Sequence, residues 1–337
     1  MEKLYVSPSA KRGVGYPSDY FYQLKQYLAA YYEILESDSR PCLMQGLALV
    51  RNAFRADIFL LSFVETIGFQ KLGLVQFLMA HASILIMRLR KKKIVFIYHN
   101  IRPHQGENYM SKSITRTLLK RSCLVISHSK DAANFAIGQL HFIGMSAEKV
   151  RFICHPACNM KLKPYIPAGK DGSEHYDVFI WGDVLPYKGI GEFVSDPSLK
   201  RTGIKVMIIG KCKIPYLEEV IEKSGVSYEN RRPDFDEVAW YCTHSDYVLF
   251  PYLPGSISSS GLLINTVVLG GNPIGPAIGA FKDLAEEGVC LTYGNIQEMF
   301  CILADRDDRK TIGVDTRKDF IAAHSWEKFA EFLYNNI

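Results

Sequence analysis

Short runs of β-branched and aromatic residues recur along this chain with helix-length stretches between them, and that rhythm constrains the fold more than any single motif. In the first half the runs are 2–6, 58–63, 94–99 and 124–127, and in the second they are 176–181, 205–209 and 247–250. Helical patterns over 20–35, 216–224 and 235–243 fall between them. Apolar strands alternating with helices predict βαβ units and parallel sheets. Between the halves, 161–175 (KLKPYIPAGKDGSEH) breaks the composition with prolines, glycines and charges, and reads as a linker. The expected architecture is α/β: two doubly wound domains, 1–165 and 166–324, with a closing helix over 325–337 that turns Trp326, Phe329 and Leu333 inward, onto the first domain. Such domains hold ligands at the carboxyl ends of their strands, so the site is expected in the cleft between them.

The totals agree with two cores. The chain has 337 residues, 48% hydrophobic and 12% aromatic. A net charge of +5 is too small and too scattered for a nucleic-acid binder, so no nucleic-acid partner is expected. Eight cysteines and no secretory pattern after Met1 point to reduced thiols and a cytoplasmic protein. Cys154-His155 with Cys158 has no second pair at ligand spacing, and no D-x-D follows a strand, so no metal is expected.

The longest apolar stretch, 72–87, contains Gln76, His81 and Ser83 and is shorter than the ~20 residues a membrane span needs; it reads as a buried or half-buried helix. Arg88, Arg90, Lys91, Lys92 and Lys93 come directly after it. Two readings stand: cations complementing a helix C-terminus, or a peripheral foothold on an anionic membrane surface.

Two stretches carry candidate chemistry. The first, 248–276, reads as a strand, a small-residue loop and an apolar helix. A helix starting after Ser258-Ser259-Ser260-Gly261 offers unpaired N–H groups and a positive dipole end to a phosphate, although serine is also an ordinary N-cap. In the second, FIWGDVLPYKG over 179–189, a strand ends in a tight loop that holds Lys188 where it can neutralise a diphosphate. Neither G-x-G-x-x-G after a strand nor G-x-x-x-x-G-K-S/T occurs, which argues against nicotinamide enzymes and P-loop NTPases.

The order of these segments resembles the GT-B glycosyltransferases, in particular glycosyltransferase family four of bacterial surface-polysaccharide synthesis. The residues that carry the resemblance begin with Tyr98-His99-Asn100-Ile101-Arg102-Pro103-His104, His128-Ser129 and His155-Pro156. They continue with Gly182, Pro186-Tyr187-Lys188-Gly189, Asp246, Pro251-Tyr252, Ser259-Ser260-Gly261, Gly271, Pro273 and Ser325-Trp326. The resemblance covers nearly the whole chain.

It implies two Rossmann-like domains facing each other across a cleft. The implied reaction is retaining, metal-independent transfer of a hexosyl unit from a UDP- or GDP-sugar to a lipid-linked or free saccharide, without a further cofactor. Lys188 matches the lysine that contacts the donor diphosphate, and Gly261 with Leu262 the helix start that meets the same phosphates. Gly182, Tyr187, Tyr252, Ser258, Ser259, Ser260 and Thr266 complete the donor side. His99 falls where a histidine faces the transferred sugar; Gly13, Gly15, Tyr16, Asn100, His104 and His128 fall on the acceptor side.

Two departures stand out. Asp183 takes the place of an arginine beside the diphosphate, and Ser258 and Thr266 replace two glutamates. A non-catalytic GT-B partner of another transferase therefore remains an alternative, as does an epimerase or phosphorylase acting on soluble sugars.

Overall fold

The structure, a computed structural model, describes residues 1–8, 19–35, 45–99, 101, 108–158, 160–169, 172–254 and 260–337. It divides into two compact units, Met1–Pro156 with His324–Ile337, and Ala157–Ala323.

The first unit runs β1 (Lys3–Ser7), α1 (Tyr20–Leu28), β2 (Glu33–Ile34), α2 (Gln45–Ala53), β3 (Ile58–Ser62), a 3-10 turn (Val64–Phe69) and α3 (Gly73–Leu89). It continues with β4 (Lys93–Ile97), α4 (Tyr109–Arg121), β5 (Leu124–Ser127), α5 (Lys130–Phe142) and β6 (Val150–Phe152). The six strands pair in parallel in the order β2-β1-β3-β4-β5-β6. Every residue of β3 is buried, as are Ile94 to Ile97 of β4, so these strands read as continuous apolar runs rather than alternating ones. Side-chain caps start the helices: Asp19 accepts from the N–H groups of Phe21 and Tyr22, Asn108 forms a capping box with Ser111, and Ser129 accepts from Ala132.

The helix predicted over 20–35 ends at Leu28. The open edge of β1 competes for the residues beyond it: the N–H of Glu33 bonds Glu2 O, and that of Leu35 bonds Leu4 O. Pairing there outweighs the helical period that the aromatic residues suggest.

The second unit runs β7 (Tyr176–Trp181), a 3-10 turn (Pro186–Lys188), α6 (Ile190–Ser195), α7 (Pro197–Thr202), β8 (Val206–Ile209), α8 (Pro215–Ser224), β9 (Ser227–Glu229) and α9 (Phe235–Thr243). Then come β10 (Ser245–Leu249), α10 (Gly261–Val268), β11 (Pro273–Pro276), α11 (Gly279–Glu286), β12 (Leu291–Tyr293), α12 (Ile296–Ala304) and α13 (Val314–Ala323). Its sheet is also parallel and six-stranded, in the order β12-β11-β10-β7-β8-β9. The order reverses between β7 and β10, which places a ligand crevice at the carboxyl ends of those two strands. In the first sheet the reversal lies between β1 and β3.

The last helix, α14 (Trp326–Asn336), belongs to the first unit and is capped by Ser325. Trp326, Phe329 and Leu333 are buried, and α14 lies against α1, with Tyr334 stacked on Tyr31 at 4.6 Å between ring centroids.

Candidate functional site

In the second unit, the segments leaving β7 and β10 meet at Gly182. Its φ of 93° favours glycine, and a Cβ there would lie 2.8 Å from Leu262 Cδ1 and 3.3 Å from Lys188 Nζ. The missing side chain thus lets the turn, the lysine and the start of α10 converge. Gly189, at φ 66°, closes the lysine turn against the Pro251 carbonyl, which a side chain would overlap. Tyr187 O accepts from Leu253 N–H at 3.1 Å, fastening the turn to the segment beyond β10.

Lys188 is only 4% exposed, and among the described residues its ammonium has no hydrogen-bond acceptor. Burial pulls it down to about 8, with Asp183 opposing. Partial removal from water disfavours the charged form of this lysine, and a nearby anion would favour it. At the start of α10, Leu263 and Ile264 both donate to Ser260 O. The preceding N–H groups, of Gly261 and Leu262, have no acceptor within the helix and sit in partly exposed residues. The Gly182 turn thus brings the ammonium and the helix start together.

Other predicted donor residues support this site from behind. Tyr252 is buried, and its hydroxyl bonds Ser260 while its ring meets Tyr187 edge-on at 6.0 Å. Thr266, predicted on the donor side, is wholly buried, accepting from Trp181 Nε1 at 3.0 Å and donating to Leu262 O at 2.9 Å, so it ties α10 to β7. Asp183 is held by Arg232 in a bidentate pair at 2.9 and 2.7 Å. The arginine neutralises the reversed charge, and it lies too far along the chain for sequence reasoning to have paired the two.

In the first unit, aromatic rings surround His99. Its imidazole stacks on Phe63 at 4.7 Å and 3°, and Tyr20 sits at the centre of the group, 5.2 Å from His99, 5.4 Å from His128, 5.2 Å from His155 and 5.1 Å from Trp326. His99 Nε2 is buried without a hydrogen-bond partner. Burial, with His155 adding, lowers His99 to about 3, and burial lowers His155 to about 4. His99 is therefore a neutral imidazole with one uncommitted nitrogen, suited to a hydroxyl rather than to a phosphate.

His128, predicted on the acceptor side, is committed to the fold. It is 1% exposed, its Nδ1–H donates to Ile153 O at 2.8 Å, and its Nε2 accepts from the Tyr20 hydroxyl at 2.8 Å, so both nitrogens are spent. Gly13, Gly15, Tyr16, Asn100, His104, Ser258 and Ser259 lie outside the described residues. Sequence reasoning missed Tyr20 and Phe63 as the walls around His99; the helical pattern marked Tyr20 only as a helix start.

No family model and no curated protein matches the chain. Solved structures do. The Anabaena protein HepE in complex with UDP and glucose superposes with a TM-score of 0.70 at 14% identity, over 99% of each chain. The structure of trehalose-6-phosphate from E. coli bound with UDP-2-fluoro glucose gives 0.69 at 10% identity, over 99% of this chain and 98% of the other. AviGT4, a glycosyltransferase involved in avilamycin A biosynthesis, gives 0.61 at 12% identity, over 100% and 97%. With two doubly wound parallel-sheet units and this likeness to solved structures, the chain has the GT-B fold.

Proposed function

We propose that this protein transfers a hexosyl unit from a nucleotide-diphosphate sugar to a saccharide acceptor, lipid-linked or free, in surface-polysaccharide synthesis. The observation that carries the reading is Lys188, a buried ammonium without an acceptor that shares the Gly182 turn with the open start of α10. These positive groups neutralise the departing diphosphate without a metal. Neutral His99 orients a hydroxyl of the transferred sugar or of the acceptor, and the leaving phosphate takes the proton in a retaining transfer. UDP is the first nucleotide to test, because UDP or a UDP-sugar occupies the HepE and E. coli structures. The Asp183–Arg232 pair weakens the case for a non-catalytic partner.

Thermal melting with UDP, GDP, dTDP, ADP and CMP tests this. A ligand at a hundred times its Kd stabilises the folded state by about 2.7 kcal/mol. UDP is expected to raise Tm, and turnover of the matching UDP-sugar should accompany it. Silence from all five nucleotides would remove the donor site, whereas binding without turnover would favour the non-catalytic partner.

A peripheral position on a membrane belongs to the same proposal. No helix among the described residues is long and apolar enough to cross one. Yet α3 exposes Leu74, Val75, Leu78, Ala82, Leu85 and Leu89, a stripe at helical spacing along its length; Leu74 is 63% exposed and Leu89 74%. Arg88, Arg90 and Lys91 are exposed at its end, and Arg90 lies over the exposed ring of Phe54 just after the neighbouring α2, whose end adds Arg51 and, beyond it, Arg55. The predicted cationic run is thereby shortened, because Lys92 pairs with Asp57 at 2.8 Å and Lys93 with Glu2 at 3.5 Å. Apolar stripe and flanking cations suit an anionic bilayer surface. Co-sedimentation with phosphatidylglycerol vesicles is expected to drop at least about tenfold in Leu78→Glu/Leu85→Glu and to weaken with salt. Unchanged sedimentation, or a dimer that the same substitutions dissociate, would assign the stripe to something other than lipid.

A further inference from the structure

Unit 1 contains a cavity of about 470 Å³ that lies along α4 and α5, between the 3-10 turn after β3 and the end of α5, with Tyr98 in its lining. Glu65 lines it. This residue is 5% exposed, and its Oε2 is buried without a hydrogen-bond partner, an arrangement that destabilises the fold unless something else uses the carboxyl. Around it the lining divides between polar groups, among them Arg116 and Gln139, and aromatic ones, Tyr109 and Phe135. Tyr109 is 82% exposed at the first turn of α4, and Phe135 is also exposed. The α4 side runs from Tyr109 to Leu119, about 15 Å at the helical rise, which is long enough for more than one sugar ring.

We infer that this cavity is a saccharide-binding site in which Glu65 takes a sugar hydroxyl and Tyr109 and Phe135 offer ring faces to the sugar. Mixed aromatic and hydroxyl-bonding walls match a saccharide, which has apolar C–H faces and polar edges, whereas a lipid tail would leave the Glu65 carboxyl without a partner. Burial pushes the Glu65 carboxyl up to about 7, so near neutrality it is able to donate as well as accept. The assignment rests on the glycosyl-transfer reading only for its biological meaning, as a place for part of a saccharide acceptor.

The test is saturation-transfer NMR on the full chain with glucose, galactose, N-acetylglucosamine, maltose and lactose, each with wild type, Glu65→Leu and Tyr109→Ala, and with UDP melting measured alongside. At least one saccharide is expected to bind, about tenfold to a hundredfold more weakly in Glu65→Leu. Glu65→Leu is also expected to raise Tm, because it removes a buried unpaired carboxyl, and to keep the UDP response. Binding by none of the five, binding indifferent to both substitutions, or a lower Tm in Glu65→Leu would overturn the site. Loss of saccharide binding with UDP still active sinks this inference alone; a saccharide response without any UDP response sinks the donor reading alone.

Discussion

Lys188→Met lowers turnover by about a hundredfold to a thousandfold while raising Tm. The loss comes from removing the one buried cation at the anion site, since groups of this kind contribute roughly 3 to 4 kcal/mol to stabilising charge in a transition state. The gain in stability has the same origin: an ammonium held 4% exposed without an acceptor opposes folding, and an apolar side chain of similar length does not. Loss of activity with gain of stability separates a missing charge from a damaged fold. The pH dependence has a definite sign. Burial holds the folded lysine at about 8, below its ordinary 10.5. Its cost to stability is therefore complete below pH 8 and fades towards 10.5, and the Tm advantage of Lys188→Met should shrink over that interval. Nucleotide affinity of the wild type should fall as pH rises past about 8, and that of the variant should not. A variant that keeps wild-type UDP affinity would sink the assignment.

What the amino-acid pattern made legible was mostly local. The helix over Phe235–Thr243 and the strand Tyr176–Trp181 appear where expected, because composition changes sharply at their ends. Lys188 and the Gly261 helix start were readable for the same reason: each comes soon after a strand, and glycines mark the turns. Long-range partners were not. Arg232 stands 49 residues from Asp183 and Tyr20 108 residues from His128, too far along the chain for either pairing to be read from local pattern. Glu65 at the opening of a helical turn has the usual appearance of a solvated first-turn acid. The apolar sequence of α3 gives no clue to which side faces water, since a helix apolar on most of its circumference shows little periodicity. Only the packing of α2 against it, with Gly46 N–H bonded to Gln76 Oε1, leaves the leucine stripe outside.

Acidification should unfold the first unit well before carboxylates titrate in bulk. His99 is held at about 3, His155 at about 4 and His128 well below its ordinary 6.5, in each case first by burial. All three have folded values below the unfolded one, so the stability they share is complete above pH 6.5 and is lost as pH falls towards the folded values, with protons taken up on unfolding. Each fully linked histidine contributes about 1.4 kcal/mol per pH unit, which makes roughly 4 kcal/mol for His99 and His155 together by pH 5, with His128 acting in the same direction. Domains of this size have only about 5 to 15 kcal/mol in all. Glu65 works the other way: its raised value makes it most favourable below its unfolded 4.5 and least favourable above 7, so it returns part of the loss on acidification, as one group against three. Circular dichroism melts from pH 7.5 to 4.5 should show Tm of the wild type falling steeply below 6.5. His128→Gln keeps an acceptor for the Tyr20 hydroxyl and a donor for Ile153 O, and should shallow that slope by about one proton. A melting temperature flat from pH 7.5 to 5 would mean that the imidazoles around Tyr20 are already solvated, and His99 would then lose its standing as a dry, neutral partner for a sugar hydroxyl.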